Sequence, residues 1–261
     1  MSGTVIEKTL DLEKLDLNLY RSKTLFKPVG ARGVFGGQTI ALALNAATKT
    51  IDPKFHVHSL HCYFILAGDN AIPIVFRVYN ERTGKSYAIR TVTATQNGKR
   101  IFSMMVSFTV PEESQLNFQV PMPNVPPPDS FKSTEEIMRG LLEDPKKQKY
   151  HETIRLRLQQ YELLNAALVP FGLDKPTEQR KMTITMMASL DHAIWFHRPF
   201  KADEWLLFEL ESTRSNSGRG FTNGRIYDTS GNLVFSTAQE GVIRAKLTDE
   251  QVKLLPFKTK L

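Results

Sequence analysis

The stretch Phe55-His56-Val57-His58-Ser59-Leu60-His61-Cys62-Tyr63-Phe64 decides the fold, because a related pattern returns as Met186-Met187-Ala188-Ser189-Leu190-Asp191-His192-Ala193-Ile194-Trp195-Phe196-His197. Each copy continues into an alternating strand pattern, a glycine-containing turn (Asn97-Gly98 or Ser230-Gly231) and a final apolar strand. A repeat of this length predicts two structural units of one kind, packed together with a site between them.

The first copy has the pattern of a sheet wrapped around a helix. Apolar residues recur at helical spacing from Thr39 to Thr50 and occupy nearly every face, which predicts a helix buried on all sides. Strand patterns follow, and Ser86 to Gln96 shows the clearest alternation, with many β-branched residues.

The region after the first copy changes in composition. Six prolines exclude regular strand pairing and predict a linker: Pro111, Pro121, Pro123, Pro126, Pro127 and Pro128. Ser133 to Glu136 has the pattern of a helix start. Residues 149–168 are helical in pattern, and one strand is expected over Met182–Phe196. We therefore divide the chain into 1–110, a linker with a short helix at 111–148, and a second unit at 149–261 that is truncated at its front.

Composition excludes several classes of protein. The 261 residues carry a net charge of +7, but the basic residues are dispersed and form no stripe interleaved with aromatic residues, so nucleic acid is not expected as a partner. A phosphate-bearing small molecule fits this charge equally well. No apolar run approaches the ~18 residues of a membrane helix. Cys62 is the only cysteine, so no internal disulfide is expected.

Three histidines close together do not indicate a metal site. His56 and His58 share one face of the predicted strand, whereas His61 lies on the other, and no acidic residue completes a ligand set. We expect no metal.

Several motifs, in the same order along the chain, resemble the acyl-CoA thioesterase II family, which has bacterial and peroxisomal members. The motifs that carry the resemblance are Arg32–Gln38, His56–Phe64, Ala67–Asp69, Arg82–Ser86, Ser189–Phe200 and Ala238–Arg244. The match covers most of residues 30–110 and 180–246.

The resemblance implies an α+β fold, the double hot-dog, in which two antiparallel sheets each wrap around a central helix. It also implies hydrolysis of the thioester in acyl-coenzyme A without a metal or organic cofactor. The fold commonly assembles through its sheet edges, so we expect a homo-oligomer. Thr259-Lys260-Leu261 is similar to the Ser-Lys-Leu tripeptide read by the peroxisomal import receptor. We therefore expect a peroxisomal location, with the cytoplasm as the alternative.

In this family three polar residues of the second half activate a water molecule. The resemblance places the hydroxyl at Ser189 and the amide at Gln239. The third residue, an Asp on the central helix, has no clear counterpart: counting without a gap places Gln160 there, and a gap brings Glu162 close.

The missing acid matters because an attacking water needs a group that accepts its proton, and neither a hydroxyl nor an amide is a good base at neutral pH. The chain could therefore be an impaired thioesterase, a divergent one that uses Glu162 or Asp191, a shortened product of a gene whose full form is active, or an acyl-CoA-binding protein without turnover. A dehydratase on the same fold would need a His–acid pair facing a helix, which this sequence does not show.

Five further residues are assigned to substrate binding: Gly37, His58, Asp191, His192 and Arg219. Gly37 opens the apolar helix, where glycine serves either an anion-binding helix start or close packing. Asp191 and His192 are consecutive, so their side chains should face opposite sides of a strand. Arg219 is a candidate contact for a coenzyme A phosphate.

Overall fold

The structure is a computed structural model that describes residues 8–28, 31–113, 115–145, 148 and 183–246. Its helices and strands, in chain order, are β1 (Leu12–Asp16), β2 (Leu19–Ser22), α1 (Gly36–Thr48), β3 (His56–Phe64), β4 (Val75–Thr83), β5 (Tyr87–Gln96), β6 (Lys99–Thr109), α2 (Thr134–Glu143), β7 (Thr183–Ser189), β8 (Asp191–Phe196), β9 (Leu207–Asn216), β10 (Arg219–Tyr227) and β11 (Leu233–Lys246). Among these residues no helix is long and apolar enough to cross a membrane.

The two repeats share one continuous antiparallel sheet. Its strand order is β1-β2-β4-β5-β6-β3-β8-β11-β10-β9, and β7 pairs with β11. The repeats join where β3 pairs with β8, with Ser59 opposite Trp195 and Tyr63 opposite Asp191. The sequence predicted one strand over Met182–Phe196. The structure instead has β7 and β8, which both pair with β11 and are separated by Leu190.

The core of the first half lies between α1 and the sheet. The buried apolar residues of α1 are Ile40, Leu42, Ala43, Ala46 and Ala47. The prediction of burial on all sides holds only in part, because Leu44 and Asn45 are half-buried and Thr48 is exposed. Asn45 lies under the N-terminal segment, and its Nδ2 donates a hydrogen bond to the Leu10 carbonyl over 2.7 Å.

Strand alternation gives the sheet two distinct faces. Arg90, in β5, hydrogen-bonds Thr50 just after α1, and it lies opposite Val106, which in turn lies opposite Leu60 in β3. We call the face that carries these residues the helix face. The other face, which carries the exposed side chains of Tyr63 and Met105, is the outer face.

The conformation of two tight turns is explained by the residues that form them. Asn97 and Gly98 join β5 to β6 with φ values of 48° and 73°, and Ser217 and Gly218 join β9 to β10 with 51° and 70°. Two consecutive residues with positive φ are typical of a two-residue hairpin turn, where Gly and Asn are favoured. Gly218 therefore forms part of a hairpin turn.

The proline-rich linker contacts the second half. Gln119 donates a hydrogen bond to the Gly231 carbonyl over 2.7 Å and accepts one from the Leu233 N–H over 3.0 Å. The predicted start of α2 is confirmed, because Ser133 and Glu136 form a capping box. The helical pattern at 149–168 lies outside the described residues.

Arg90 is a buried cation held by neutral acceptors. It is 2% exposed, and its guanidinium donates to the carbonyls of Thr50, Arg82 and Ile89 and to the hydroxyls of Thr50 and Thr83. Burial lowers the pKa of Arg90 from its usual value. The planar guanidinium, with its five donors, ties the end of α1 to the β4–β5 hairpin.

We expect Arg90→Met to lower the free energy of unfolding by roughly 2–4 kcal/mol, because several partly buried acceptors would lose their donors, at no more than about 1–3 kcal/mol each, less the relief of a buried charge. Urea denaturation measures this change. The matched control is Arg77→Met, on the exposed side of β4, which should stay within about 0.5 kcal/mol of the wild type. Equal stability of the two variants would contradict a structural role for Arg90.

Candidate functional site

Ser189 and Gln239, both predicted to be catalytic, are in contact. The Gln239 Nε2 donates a hydrogen bond to the Ser189 Oγ over 2.5 Å. Ser189 is the last residue of β7, and Gln239 lies in β11. Gln160, the third predicted catalytic residue, and the alternative Glu162 lie outside the described residues.

The interruption at Leu190 positions this pair. The Leu190 N–H donates to the Glu240 carbonyl over 2.9 Å, while the Leu190 carbonyl accepts the Phe64 N–H over 2.8 Å. Leu190 therefore joins β11 of the second half to the end of β3 in the first half. Ser189, immediately before Leu190, lies at the point where the two halves of the sheet meet.

Gln239 belongs to a polar row on the helix face. Thr237 is two residues before Gln239 in β11, so both side chains project to one face. The Thr237 Oγ1 hydrogen-bonds the His192 Nε2 over 2.5 Å. His192 lies opposite Cys62 in the β3–β8 pairing, and Cys62 shares the helix face with Leu60. Ser189, Gln239, Thr237 and His192 therefore line the same face.

Burial sets the protonation of the neighbouring groups. It lowers the pKa of His192 from its usual value, against a smaller opposite effect of Asp191. The imidazole is therefore neutral at neutral pH and hydrogen-bonds Thr237 in that form. Burial also raises the pKa of Cys62 to about 12, so this thiol is not a nucleophile at neutral pH.

The first turn of α1 packs beside this junction. A Cβ on Gly36 would come within 2.9 Å of the Phe64 ring, so a glycine allows the helix to begin against the residue that bonds Leu190. The loop before α1 also contacts the second half, because the Arg32 Nη1 donates to the Met186 Sδ over 3.4 Å. The start of α1 therefore packs on the end of β3, at the residue that bonds Leu190.

Gly37, assigned to substrate binding, lies in that first turn. A Cβ on Gly37 would come within 2.7 Å of the Phe35 ring, so the present position of that ring depends on the glycine. No side chain caps the start of α1, and its first turn contains no acidic residue. The structure is therefore compatible with both interpretations of Gly36 and Gly37: close packing, and a helix start that receives an electron-rich group.

Asp191 and Arg219 lie on the outer face, away from the Ser189–Gln239 pair. Asp191 is opposite the exposed Tyr63, and its Oδ1 accepts the Glu240 N–H over 2.9 Å. The Arg219 Nε donates to the Glu240 Oε1 over 2.9 Å, and Glu240 faces away from Gln239, its neighbour in the strand. The structure therefore does not bring Arg219 to the pair.

His58 is also on the outer face and at the other end of the strand. Its Nε2 hydrogen-bonds the Ser107 Oγ over 2.8 Å, and its ring contacts Tyr87 edge-on at 5.7 Å. Tyr63, five positions further along β3, lies opposite Asp191. His58 is therefore about 17 Å along the strand from this level of the sheet, at ~3.3 Å per residue, and the structure does not bring it to Ser189.

Sequence reasoning missed two hydroxyls of this face. Thr237 binds His192, and Thr222 lies opposite Gln239 in the β10–β11 pairing. The Thr222 Oγ1 is buried and has no hydrogen-bond partner within the described part of the chain. Side chains two residues apart in a strand share a face, so the sequence could have placed Thr237 beside Gln239. Finding Thr222 required the register between β10 and β11.

The described residues contain no group of three or more His, Cys, Asp or Glu side chains that could hold a metal ion. The chemistry available on the helix face is that of hydroxyls, an amide and a neutral imidazole. The hydroxyls and the amide bind and orient a polar molecule such as water but do not remove its proton at neutral pH. The Nε2 of the neutral imidazole is engaged with the Thr237 Oγ1.

Comparison with known proteins identifies the family. Residues 26–109 match the family described as acyl-CoA thioesterase N-terminal domain, and residues 134–242 match acyl-CoA thioesterase. The chain is 34% identical to acyl-coenzyme A thioesterase 8 of Rattus norvegicus, over 97% of this chain and 93% of the rat protein. It is 23% identical to peroxisomal acyl-coenzyme A thioester hydrolase 1 of Saccharomyces cerevisiae, over 93% of this chain and 95% of the yeast protein.

A solved structure agrees with these matches. The acyl-CoA thioesterase II of Mycobacterium marinum is 33% identical and superposes with a TM-score of 0.72, covering 94% of this chain and 100% of that one. With its buried helix, antiparallel sheet and polar pair at the junction of the repeats, the chain belongs to the acyl-CoA thioesterase family and has the hot-dog fold of these enzymes.

Proposed function

We propose that this chain hydrolyses the thioester of acyl-coenzyme A with a water molecule held by Ser189 and Gln239. The observation that carries the proposal is the 2.5 Å contact between these side chains, on the helix face where the two halves meet. Hydrolysis of acyl-CoA is the activity of the family to which the chain belongs.

The Ser189–Gln239 contact leaves suitable groups for a water. Because Gln239 donates its Nε2–H to the Ser189 Oγ, the serine proton and the Gln239 Oε1 remain for a further partner. A water that accepts from the hydroxyl and donates to the amide oxygen has a lone pair directed away from both. Its attack forms a C–O bond and breaks the C–S bond, and the group that accepts a proton from the water passes it on to the leaving coenzyme A thiolate.

The reaction also needs groups that stabilise the thioester oxygen, and we assign this role to the first turn of α1. Negative charge develops on the thioester oxygen during attack, and main-chain N–H groups at a helix start stabilise such charge. Gly36 and Gly37 stand at that start, and Gly36 packs on Phe64 beside the Leu190 junction. We therefore assign the carbonyl oxygen to this helix end.

The proton acceptor is assigned to the segment 149–182. Asp191 is held by the Glu240 N–H on the outer face, which favours Glu162 over Asp191 as the acid that accepts the proton. Gln160 would orient the water without accepting its proton. An acyl-CoA-binding protein without turnover is the alternative, and the named thioesterase relatives do not favour it.

We assign the architecture to a double hot-dog whose second unit is shortened, with units at 1–110 and 149–261 and a linker at 111–148. The join between β3 and β8 supports two units in one sheet. The alignment with the rat protein spans 306 positions, more than the 261 residues here, which supports a shortening. Assembly into a homo-oligomer stays a prediction.

We also propose that the protein acts in the peroxisome. The name of the yeast relative gives that location for the yeast protein, and Thr259-Lys260-Leu261 is similar to the import tripeptide. These three residues lie outside the described part of the chain.

Ser189→Ala and Gln239→Ala should each lower kcat for thiol release from acyl-CoA by roughly 100-fold, because each removes a group that orients the reacting water. The double variant should lose little more, since the two side chains act as one unit. Release is followed with a thiol reagent on substrates of short, medium and long chain.

The matched control for these two variants is Ser236→Ala, which changes a serine of the same strand that hydrogen-bonds His197 on the outer face. Its kcat should stay within about twofold of the wild type. If the wild type binds acyl-CoA but releases no thiol, the chain is a binding protein and the proposed hydrolysis is wrong.

A further prediction concerns the neutral His192. Because burial lowers its pKa in the folded state, the unfolded chain takes up the proton first as the pH falls below the usual value near 6.5, and stability is lost in that window. The free energy of unfolding should therefore fall from pH 7.5 to 5.5 by more in the wild type than in His192→Gln. Parallel curves from urea denaturation would contradict a buried neutral His192.

The location can be tested in cells with a fluorescent protein fused in front of residue 1. The fusion that ends at Leu261 should coincide with a peroxisomal marker, whereas deletion of Leu261 alone should leave it in the cytosol, because the receptor reads the terminal tripeptide. A cytosolic signal from both fusions would contradict the proposal.

A further inference from the structure

Asp191 bridges two strands at the level of the Ser189–Gln239 pair. It follows Ser189 by two residues, and its Oδ1 accepts the N–H of Glu240, the residue after Gln239. In a regular antiparallel pair, a main-chain carbonyl would accept that N–H. Here the strand is interrupted at Leu190, whose carbonyl accepts the Phe64 N–H instead, and a carboxylate serves as the acceptor.

The bond acts on the backbone that carries Gln239. The Glu240 N–H belongs to the peptide group whose carbonyl carbon is that of Gln239, and a peptide group is planar. Fixing this N–H therefore fixes the plane from which the Gln239 side chain projects to the opposite face. Leu190 fixes the other side of Glu240, because its N–H donates to the Glu240 carbonyl over 2.9 Å.

From this geometry, and building on the proposed hydrolysis, we infer that Asp191 is a positioning residue for the reaction. Its carboxylate on the outer face holds the Gln239–Glu240 peptide so that the Gln239 amide meets Ser189 on the helix face. A hydrogen bond from an N–H to a carboxylate is stronger than one between neutral groups, which suits a point where the strand ladder is broken. Asp191 neither touches the substrate nor accepts the proton of the water.

Two substitutions separate positioning from acid–base chemistry. Asp191→Asn keeps an oxygen acceptor without the charge, and it should retain kcat within about threefold of the wild type, with an unchanged pH–rate profile. Asp191→Ala removes the acceptor and should lower kcat by about 10- to 100-fold at a KM within about twofold, since a small misplacement of a reacting group has an effect of this size.

The matched control is Asp228→Ala. Asp228 also fixes the backbone around β11, because its Oδ1 accepts the N–H groups of Ser230 and Asn232 over 2.9 Å each, but it does so at the turn before the strand. This variant should lose stability with little change in kcat. An equal loss of kcat in Asp228→Ala and Asp191→Ala would show only that β11 is destabilised, and the inference would be wrong.

Two other outcomes would also overturn the inference. Full kcat in Asp191→Ala would exclude a positioning role. Loss of activity in Asp191→Asn as deep as in Asp191→Ala, with loss of one limb of the pH profile, would make Asp191 the base.

A measurement that does not depend on enzyme activity tests the inference separately from the proposed hydrolysis. Amide hydrogen exchange at Glu240 should be slow in the wild type and in Asp191→Asn, and fast in Asp191→Ala. If the wild type releases no thiol, the proposed hydrolysis is wrong, while this exchange pattern still tests whether Asp191 holds the Glu240 N–H. Equal exchange in Asp191→Ala and the wild type would show that Asp191 does not hold it.

Discussion

The pairing of β3 with β8 is the constraint on which the rest of the molecule depends. Each repeat would otherwise leave a strand edge with unpaired main-chain groups, and edge-to-edge pairing satisfies both at once. The same pairing places the end of β3 at Leu190 through the Phe64 N–H. Because Gly36 packs on Phe64, the start of α1, a helix of the first half, comes to lie at the junction between Phe64 and Leu190 of the second half.

Strand alternation then divides the chemistry between two faces. Ser189, Gln239 and His192 lie on the helix face, where burial keeps the imidazole neutral. Asp191 and Glu240, in contrast, lie on the outer face, where they meet a backbone N–H and a guanidinium. Burying either carboxylate under a helix would carry a desolvation cost. The sheet therefore keeps both charges near solvent, and Asp191 acts on the polar pair through the backbone of Glu240.

Local patterns predicted the parts of the fold that local chemistry determines. The apolar spacing of α1, the Asn97-Gly98 turn and the capping box of Ser133 depend on neighbours in the sequence, and all three are present in the structure. The interruption at Leu190 was not predictable in this way, because it requires a hydrogen bond from Phe64 in the other repeat. The substrate-binding roles of His58 and Arg219 stay predictions, and the face and level of each residue follow from strand register, which the sequence does not contain.

The two repeats use equivalent strands for different purposes. Phe102-Ser103 in β6 corresponds to Phe235-Ser236 in β11, and counting on from each pair places Val106 at the position of Gln239. Val106 is fully buried on the helix face and packs in the core of the first half, whereas Gln239 binds Ser189. Polar side chains at these positions stabilise the fold less than buried apolar side chains do, so a well-packed first half can support a second half that keeps its polar pair. The pseudo-symmetry of the fold therefore need not produce two sites, because only one repeat has polar residues at these positions within the described part of the chain.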